Sequence, residues 1–267
     1  MPSRRQLQGK KELYATLNKI MAALKALAYA ETRKLQRQIP PQLAITERMR
    51  AAIAKLQQGS NASKPPHKLI IVLGTERGFC GDINRRLLDA TTEIIRTTPC
   101  GVILVGDRLY RHTHADFEVL AQVTGPSVAE DVESVTDKLV TLLSQHSERY
   151  PLTEAEILYY REQDGHPRRF PLFPKQNHGD GAASITPMMY RPAPELLLEL
   201  TPMYLFASLQ SCLKDALLGE NRKRLSHLEY ATRHLQERMN VLTLQTNMLR
   251  QEEIIEDIEA LLFVVAD

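Results

Sequence analysis

The stretch best equipped for chemistry is Gly74-Thr75-Glu76-Arg77-Gly78-Phe79-Cys80-Gly81, directly after the apolar run LIIVLG at 69–74. A glycine-bearing turn from strand into helix can place backbone N–H groups around a phosphate. The stretch lacks G-K-[ST], however, and its glycine spacing does not match G-x-G-x-x-G. Glycines that permit a tight turn and close helix–sheet packing are the stronger reading. Cys80 would be a nucleophile only with its thiol activated at a helix N-terminus. No His/Asp pairing accompanies it, so a small buried thiol fits better. His112 and His114 alternate, and His166 and His178 share a loop, but neither pair has a zinc-like partner set. Glu252, Glu253, Glu256, Asp257 and Glu259 are spread around a helical cylinder, which suits a solvated or partner-facing surface rather than a cation site. The expectation is a chain with no catalytic residue, no metal and no cofactor.

The elements that would hold this turn are legible from periodicity. LIIVLG (69–74), GVILVG (101–106), FEVLAQV (117–123) and AEILYYR (155–161) are short β-rich runs, separated by helix-like stretches at Asp82–Arg96 and Val128–Arg149. Such alternation implies an α/β unit with a largely parallel sheet. Asp164 to Gly181 reads as a loop holding at most one strand.

Long helices flank this unit. Leu13, Leu17, Ile20, Leu24 and Leu27 are spaced 4, 3, 4, 3, a heptad seam that needs a partner helix. Pro40-Pro41 is expected to break that helix, because neither ring nitrogen donates and the residue before a proline avoids the helical region. A second amphipathic piece with Leu43, Met49, Ile53 and Leu56 follows. At the other end, Leu228, Thr232, Leu235, Met239, Leu242, Thr246 and Leu249 repeat 4, 3, 4, 3, 4, 3. The seam resumes one residue out of phase at Ile254, Ile258, Leu261 and Val265, a skip that alters local winding. Thr201-Pro202 reads as an N-cap with proline at the first helical position. A helix from there to Val265 would be about 95 Å long.

The architecture expected is α/β: a long antiparallel coiled coil of N- and C-terminal helices with an inserted Rossmann-like α/β domain. Its divisions are 1–58, 68–190 and 195–267. Charge agrees with the pairing, since residues 1–58 hold 12 Lys/Arg against 3 Glu, whereas Gln251 to the end holds six acids and no Lys or Arg. Helix ends of opposite charge attract when they lie side by side. Other classes are disfavoured. No run of 18 apolar residues suggests a membrane span, and the start MPSRRQLQGKK has no apolar core for a secretory signal. Three scattered cysteines do not make a disulfide framework. The basic first helix has an electrostatic attraction for nucleic acid, but its apolar seam and the lack of interleaved aromatics argue against that partner.

Three stretches together resemble the gamma subunit of the F-type ATP synthase. They are Lys19-Ile20 with Arg33-Lys34, Glu47 and Met49-Arg50; Thr75-Glu76-Arg77-Gly78-Phe79-Cys80-Gly81-Asp82-Ile83-Asn84, similar to T-D-R-G-L-C-G-G-L-N; and Asn247-x-x-Arg250-Gln251-x-x-Ile254 with Ile258-Glu259. The resemblance covers nearly the whole chain. It implies a non-catalytic rotor shaft that turns inside a ring of alpha and beta subunits, above a c-ring and beside an epsilon subunit, coupling H⁺ or Na⁺ flow to ATP synthesis or hydrolysis. It implies a peripheral position on the cytoplasmic face of a bacterial inner membrane; helix-forming sequence almost from Met1 leaves no room for an organellar transit peptide. It also implies beta-subunit contacts at Leu24, Arg250, Gln251, Ile254 and Ile255, and a globular-domain motif at Arg77, Gly78, Cys80, Gly81 and Asn84. Ile255 stands where the family has Thr, Met21-Ala22 where it has Thr-Lys, and Asp82 where it has a second glycine. These departures point to a divergent bacterial form, such as an alternative F-type ATPase would use. The rival readings are a coiled-coil adaptor with an unrelated α/β domain, and a small-molecule enzyme using the Arg77–Asp82 turn.

Overall fold

The structure, a computed structural model, describes residues 4–56, 68–113, 117–174 and 190–266. In chain order the elements are α1 (Arg4–Leu56), β1 (Lys68–Leu73), α2 (Ile83–Thr97), β2 (Cys100–Val105), α3 (Asp107–Arg111), β3 (Val119–Val123), α4 (Asp131–His146), β4 (Ala155–Tyr160), β5 (Pro167–Pro171) and α5 (Ala193–Ala266). They form two compact units, one of residues 29–224 and one of 1–28 with 225–267.

Residues 29–224 hold a five-stranded sheet in the order β3-β2-β1-β4-β5. The first four strands are parallel, and β5 closes the far edge antiparallel to β4, with Ile157 opposite Phe170. β1, β2 and β4 are buried along nearly their whole length, as a sheet covered on both faces requires, so their sequences read as unbroken apolar runs. Alternate residues serve opposite cores. Leu69, Ile71, Leu73, Ile103, Val105, Ile157 and Tyr159 meet α4, the part of α1 around Leu35, Ile39 and Ile53, and the α5 residues Tyr204, Leu209, Leu213 and Leu217. Ile70, Val72, Val102, Leu104, Leu158 and Tyr160 meet α2 through Ile83 and Leu87, and α3 through Leu109. α2 and α4 cover opposite faces because the chain leaves β1 toward β2 but returns from β3 to β4 on the other side, and both crossovers keep the right hand.

Three prolines depart from the sequence expectation. Pro40 and Pro41 lie inside α1 and Pro202 inside α5, so neither a break at Pro40 nor a helix start at Thr201 occurs. Each proline forfeits the bond to the carbonyl four residues earlier. For Pro40 and Pro41 those carbonyls belong to the exposed Gln36 and Arg37, and for Pro202 to the exposed Leu198, where water can donate to them. Meanwhile the buried neighbours Leu35 and Ile39 hold α1 on the sheet. In the second amphipathic piece Ile53 is buried, but the inward position two turns earlier belongs to Thr46, not Leu43. Thr46 Oγ1 donates to the carbonyls of Gln42 and Ala207. By length and composition α5 is apolar enough to cross a membrane; its leucines from 205 to 218 are instead core residues against the sheet. The expected loop after Asp164 contains β5; its residues 175–181 lie outside the described residues.

In the other unit, the first part of α1 and the last part of α5 are joined by an ion pair, Lys25 Nζ to Glu229 Oε1 at 2.9 Å. That contact holds the Glu229 carboxyl below its ordinary range. On α5 Leu228, Thr232, Leu235, Met239, Leu242, Thr246 and Leu249, the seam expected from sequence, are buried or half-buried, and Leu225, Ala231 and Thr243 beside them are half-buried too. On α1 the seam is one residue away from the expected one. Leu7, Met21 and Ala28 are buried and Lys11, Tyr14, Asn18 and Lys25 half-buried, at 4, 3, 4, 3 spacing, while Leu13, Leu17, Ile20 and Leu27 are 37–55% exposed. Leu24 is half-buried beside them. The out-of-phase seam expected beyond Leu249 is not buried either: Ile254 and Ile258 are exposed, and Leu261 and Val265 lie outside the described side chains.

Candidate functional site

Two places bear on function, one in each unit. In the sheet-bearing unit the turn after β1 is overdetermined. Thr75 and Asn84 form a reciprocal pair, the Thr75 N–H donating to Asn84 Oδ1 at 3.0 Å and Asn84 Nδ2 to Thr75 Oγ1 at 2.9 Å. This ties the end of β1 to the first turn of α2. Glu76 Oε2 accepts the N–H groups of Asp107 (3.0 Å) and Gly125 (2.8 Å), fastening the ends of β2 and β3 to that of β1. Gly106 is required beside it, with φ of 110° and a position where a Cβ would fall 2.8 Å from the Thr75 carbonyl oxygen.

Beneath the turn lies a buried ion pair between Glu220 and Arg224, one turn apart on α5. Arg224 Nε donates to the Gly78 carbonyl at 3.1 Å, its Nη2 to Cys80 Sγ at 3.3 Å and its Nη1 to Asn221 Oδ1 at 2.7 Å. The Glu220 carboxylate faces the backbone N–H groups of Arg77 and Glu76. Burial pushes the Glu220 carboxyl upward, against the pull of Arg224 and these N–H groups. These contacts hold Phe79 with φ of 66° and 59% of its surface exposed. That left-handed conformation costs a non-glycine residue energy and persists only where its surroundings impose it.

The motif residues expected from sequence thus come together here. Arg77 is exposed at the tip, Gly78 and Cys80 are held by Arg224, Gly81 takes a φ of 67°, and Asn84 is buried under Thr75. Burial, with Glu220 nearby, pushes the Cys80 thiol up to about 12, away from the thiolate form a nucleophile needs. Arg86, paired with Asp82 at 2.6 Å, also reaches the Gly165 carbonyl at 2.9 Å. Among the described residues, no three His, Cys, Asp or Glu side chains cluster as metal ligands. His112 Nδ1 lies 2.6 Å from the Arg108 carbonyl, and His114 and His178 fall outside the described residues.

The coiled-coil unit supplies the second place. Besides the α1 stripe, α5 exposes Val241, Leu244 and Met248, then Ile254, Ile255 and Ile258. Arg250 and Gln251 are exposed among them, as are Glu252, Glu253, Glu256 and Glu259. These apolar side chains lie outside the helix–helix seam, on faces this chain does not itself cover.

A protein-family model described as ATP synthase matches residues 3–261. An ATP synthase gamma chain of Pelotomaculum thermopropionicum is 23% identical over 280 residues, covering 97% of this chain and 96% of its own. The chain belongs to the ATP synthase gamma family. A second gamma chain, from Syntrophobacter fumaroxidans, is 24% identical over 284 residues with the same coverage of 97% and 96%. The fold agrees with a chain of the Euglena gracilis mitochondrial ATP synthase OSCP/F1/c-ring structure, at TM-score 0.66 and 16% identity over 98% of this chain and 93% of that one. A chain of the Tetrahymena thermophila mitochondrial central stalk and c-ring matches at TM-score 0.57 and 13% identity, over 79% of this chain and 99% of that one.

In this gamma-family chain the crevice that many α/β folds offer to nucleotides is plugged by its own helix. Glu220 and Arg224, which do the plugging, escape a reading of sequence alone. The one available signal concerns Arg224, which with Asn221 continues the 4, 3 spacing upstream of Leu228 and so sets polar groups at core positions.

Proposed function

We propose that this chain is the central-stalk rotor subunit of an F-type ATP synthase, coupling transmembrane H⁺ or Na⁺ flow to ATP synthesis or hydrolysis at the beta subunits. The observation that carries the proposal is the outward apolar stripe Leu13-Leu17-Ile20-Leu27 on a helix whose own seam is more polar. A two-helix rod alone has no use for apolar residues off its seam. A rod enclosed by an alpha/beta ring does. In this reading residues 1–58 and 195–267 supply the shaft, and 68–190 the globular body beside the c-ring and epsilon subunit, on the cytoplasmic face of a bacterial inner membrane. The chain makes and breaks no bond itself.

Coupling requires the shaft to touch equivalent sites differently. One asymmetric rod in a ring of three like sites meets that condition, and the resulting bias is reciprocal, so nucleotide binding can turn the rod as well. Driving a site from mostly one state to mostly the other takes about 5.5 kcal/mol of differential contact. Charge-assisted hydrogen bonds at about 1.5–3 kcal/mol each, with apolar packing, supply that amount. Arg250 and Gln251 are the donors we assign to the beta contact, with Leu24, Ile254 and Ile255 as packing surface.

Thiol labelling tests the reading. Ile20→Cys and Leu244→Cys are expected to react readily with a maleimide in the free chain and to be shielded once alpha and beta subunits are added. Equal labelling in both conditions would count against an enclosing ring.

A further inference from the structure

The sheet-bearing unit ends at residues 29 and 224, and α1 and α5 both run on from it. At that level each helix is fastened to the sheet by charged groups as well as by apolar packing. On α5, Arg224 donates to the Gly78 carbonyl at 3.1 Å and pairs with Glu220. On α1, Glu31 Oε2 accepts the N–H of Ala129 at 3.1 Å, and Lys34 Nζ pairs with Oε1 of Glu130, the residue that precedes α4. The two anchor points are also tied to each other. Glu76 lies in the turn that Arg224 holds, and its Oε2 accepts the N–H of Gly125 at 2.8 Å, in the segment that leads to Ala129. That segment lies tight against the strand ends, since a Cβ on Gly125 would fall 3.2 Å from the Gly106 Cα. A path of hydrogen bonds and short backbone stretches thus runs from α5 through the β1–α2 turn and the β3–α4 connection to α1. Leu35 of α1 and Leu217 of α5, buried in one core, close it.

We propose that Glu31, Lys34, Glu76 and Arg224 form a collar that locks α1 and α5 to the sheet against twisting. The inference rests on the rotor reading and makes these four positioning residues, which act through the helices they hold. In that reading, load passes between the globular body and the shaft, so it must cross where the helices leave the sheet. Apolar packing alone is poorly suited to carry it. Hydrophobic attraction has no direction, and packed helices slide past one another in small shear motions. Hydrogen bonds to charged groups fix both distance and direction. The Lys34 and Glu130 side chains are 36% and 63% exposed, and an ion pair so open to water adds little to stability. Its removal therefore separates stiffness from stability.

The test is the torsional stiffness of the full chain assembled with alpha and beta subunits. The ring is fixed to a surface, a bead is attached at Arg96, exposed on α2, and the bead's angular spread is recorded without nucleotide. Glu31→Ala/Lys34→Ala is expected to raise the angular variance about twofold, because the anchors on α1 and α5 share the load and one of the two is lost. Lys34→Ala alone is expected to raise it less and to leave the unfolding midpoint of the free chain unchanged. Glu76→Ala, which parts the two anchors, is expected to raise the variance as well. Lys34→Arg keeps the charge and should restore the wild-type spread, and Arg85→Gln, on α2 and 76% exposed, should not alter it. Wild-type variance in both Glu31→Ala/Lys34→Ala and Glu76→Ala would overturn the collar. A wild-type chain that never enters the ring would instead overturn the rotor reading beneath it.

Discussion

Arg224 reaches from α5 to the carbonyl of Gly78, 146 residues earlier in the chain, at 3.1 Å. That bond, with the buried Glu220 carboxylate behind it, fixes the turn between β1 and α2 in a shape its own sequence does not favour. Arg224→Leu would leave Glu220 buried without its partner, a loss of about 3–5 kcal/mol. The double variant Glu220→Leu/Arg224→Leu is expected to recover much of it, since no lone charge remains. Denaturant unfolding measures both, and a loss below about 1 kcal/mol for Arg224→Leu would show that the pair does not hold the turn.

The same burial governs the response to alkali. Cys80 is shifted from an ordinary thiol value of 9.0 to about 12, and burial raises Cys212 as well. Folded protein then holds these protons more tightly than unfolded protein does. Their contribution to stability is complete below pH 9 and falls as pH rises toward 12. Unfolding midpoints measured across that window should decline, and less steeply in Cys80→Ala. An identical decline in that variant would contradict the assignment.

Glu76 joins three strand ends through one carboxylate oxygen. Glu76→Ala strands the N–H groups of Asp107 and Gly125, at a cost of about 1–3 kcal/mol. Glu76→Gln keeps an acceptor and should lose less. Hydrogen exchange at those two amides reads the effect directly; unchanged protection in Glu76→Ala would show the bonds to be dispensable.

Seam and stripe on α1 should respond oppositely. Met21→Ala empties a buried position and is expected to lose about 2 kcal/mol or more. Ile20→Asp, at a residue 52% exposed, should stay within about 0.5 kcal/mol of wild type in the isolated chain. Thermal unfolding of the two variants checks the phase of the seam, and the reverse ranking would restore the phase suggested by the apolar spacing.

That phase shows where sequence reading succeeds and where it stops. The strands LIIVLG and GVILVG were legible because a doubly covered parallel strand must be apolar throughout. The α5 seam was legible because its most apolar stripe is also its buried one. On α1 the two part: Lys11 and Asn18 are half-buried in the seam, and the apolar stripe faces out. Periodicity counts apolar residues without telling which neighbour covers them. The prolines at 40, 41 and 202 misled for a related reason, since their cost depends on whether the freed carbonyl reaches solvent. α3, at five residues, is shorter than any period can register. The Arg77–Asn84 motif was found as a motif, yet its clamp was invisible, because charged residues such as Glu220 and Arg224 read as surface until the fold buries them.

Arg250 is exposed on α5, so Arg250→Ala should leave folding intact. In an assembled complex it should lower ATPase turnover through the lost donor, by about tenfold for a bond of about 1.5 kcal/mol. Unchanged turnover would remove Arg250 from the coupling contact.

The central claim is that the outward stripe of α1 is covered by a ring of alpha and beta subunits. Co-expression of this chain with both subunits from the same genome, purification through a tag on this chain, and an ATPase assay test it most directly. The account predicts one copy per three alpha–beta pairs, with ATPase that depends on the chain, and an Ile20→Asp chain that folds but fails to assemble. A wild-type chain that purifies alone under conditions preserving such assemblies would contradict it.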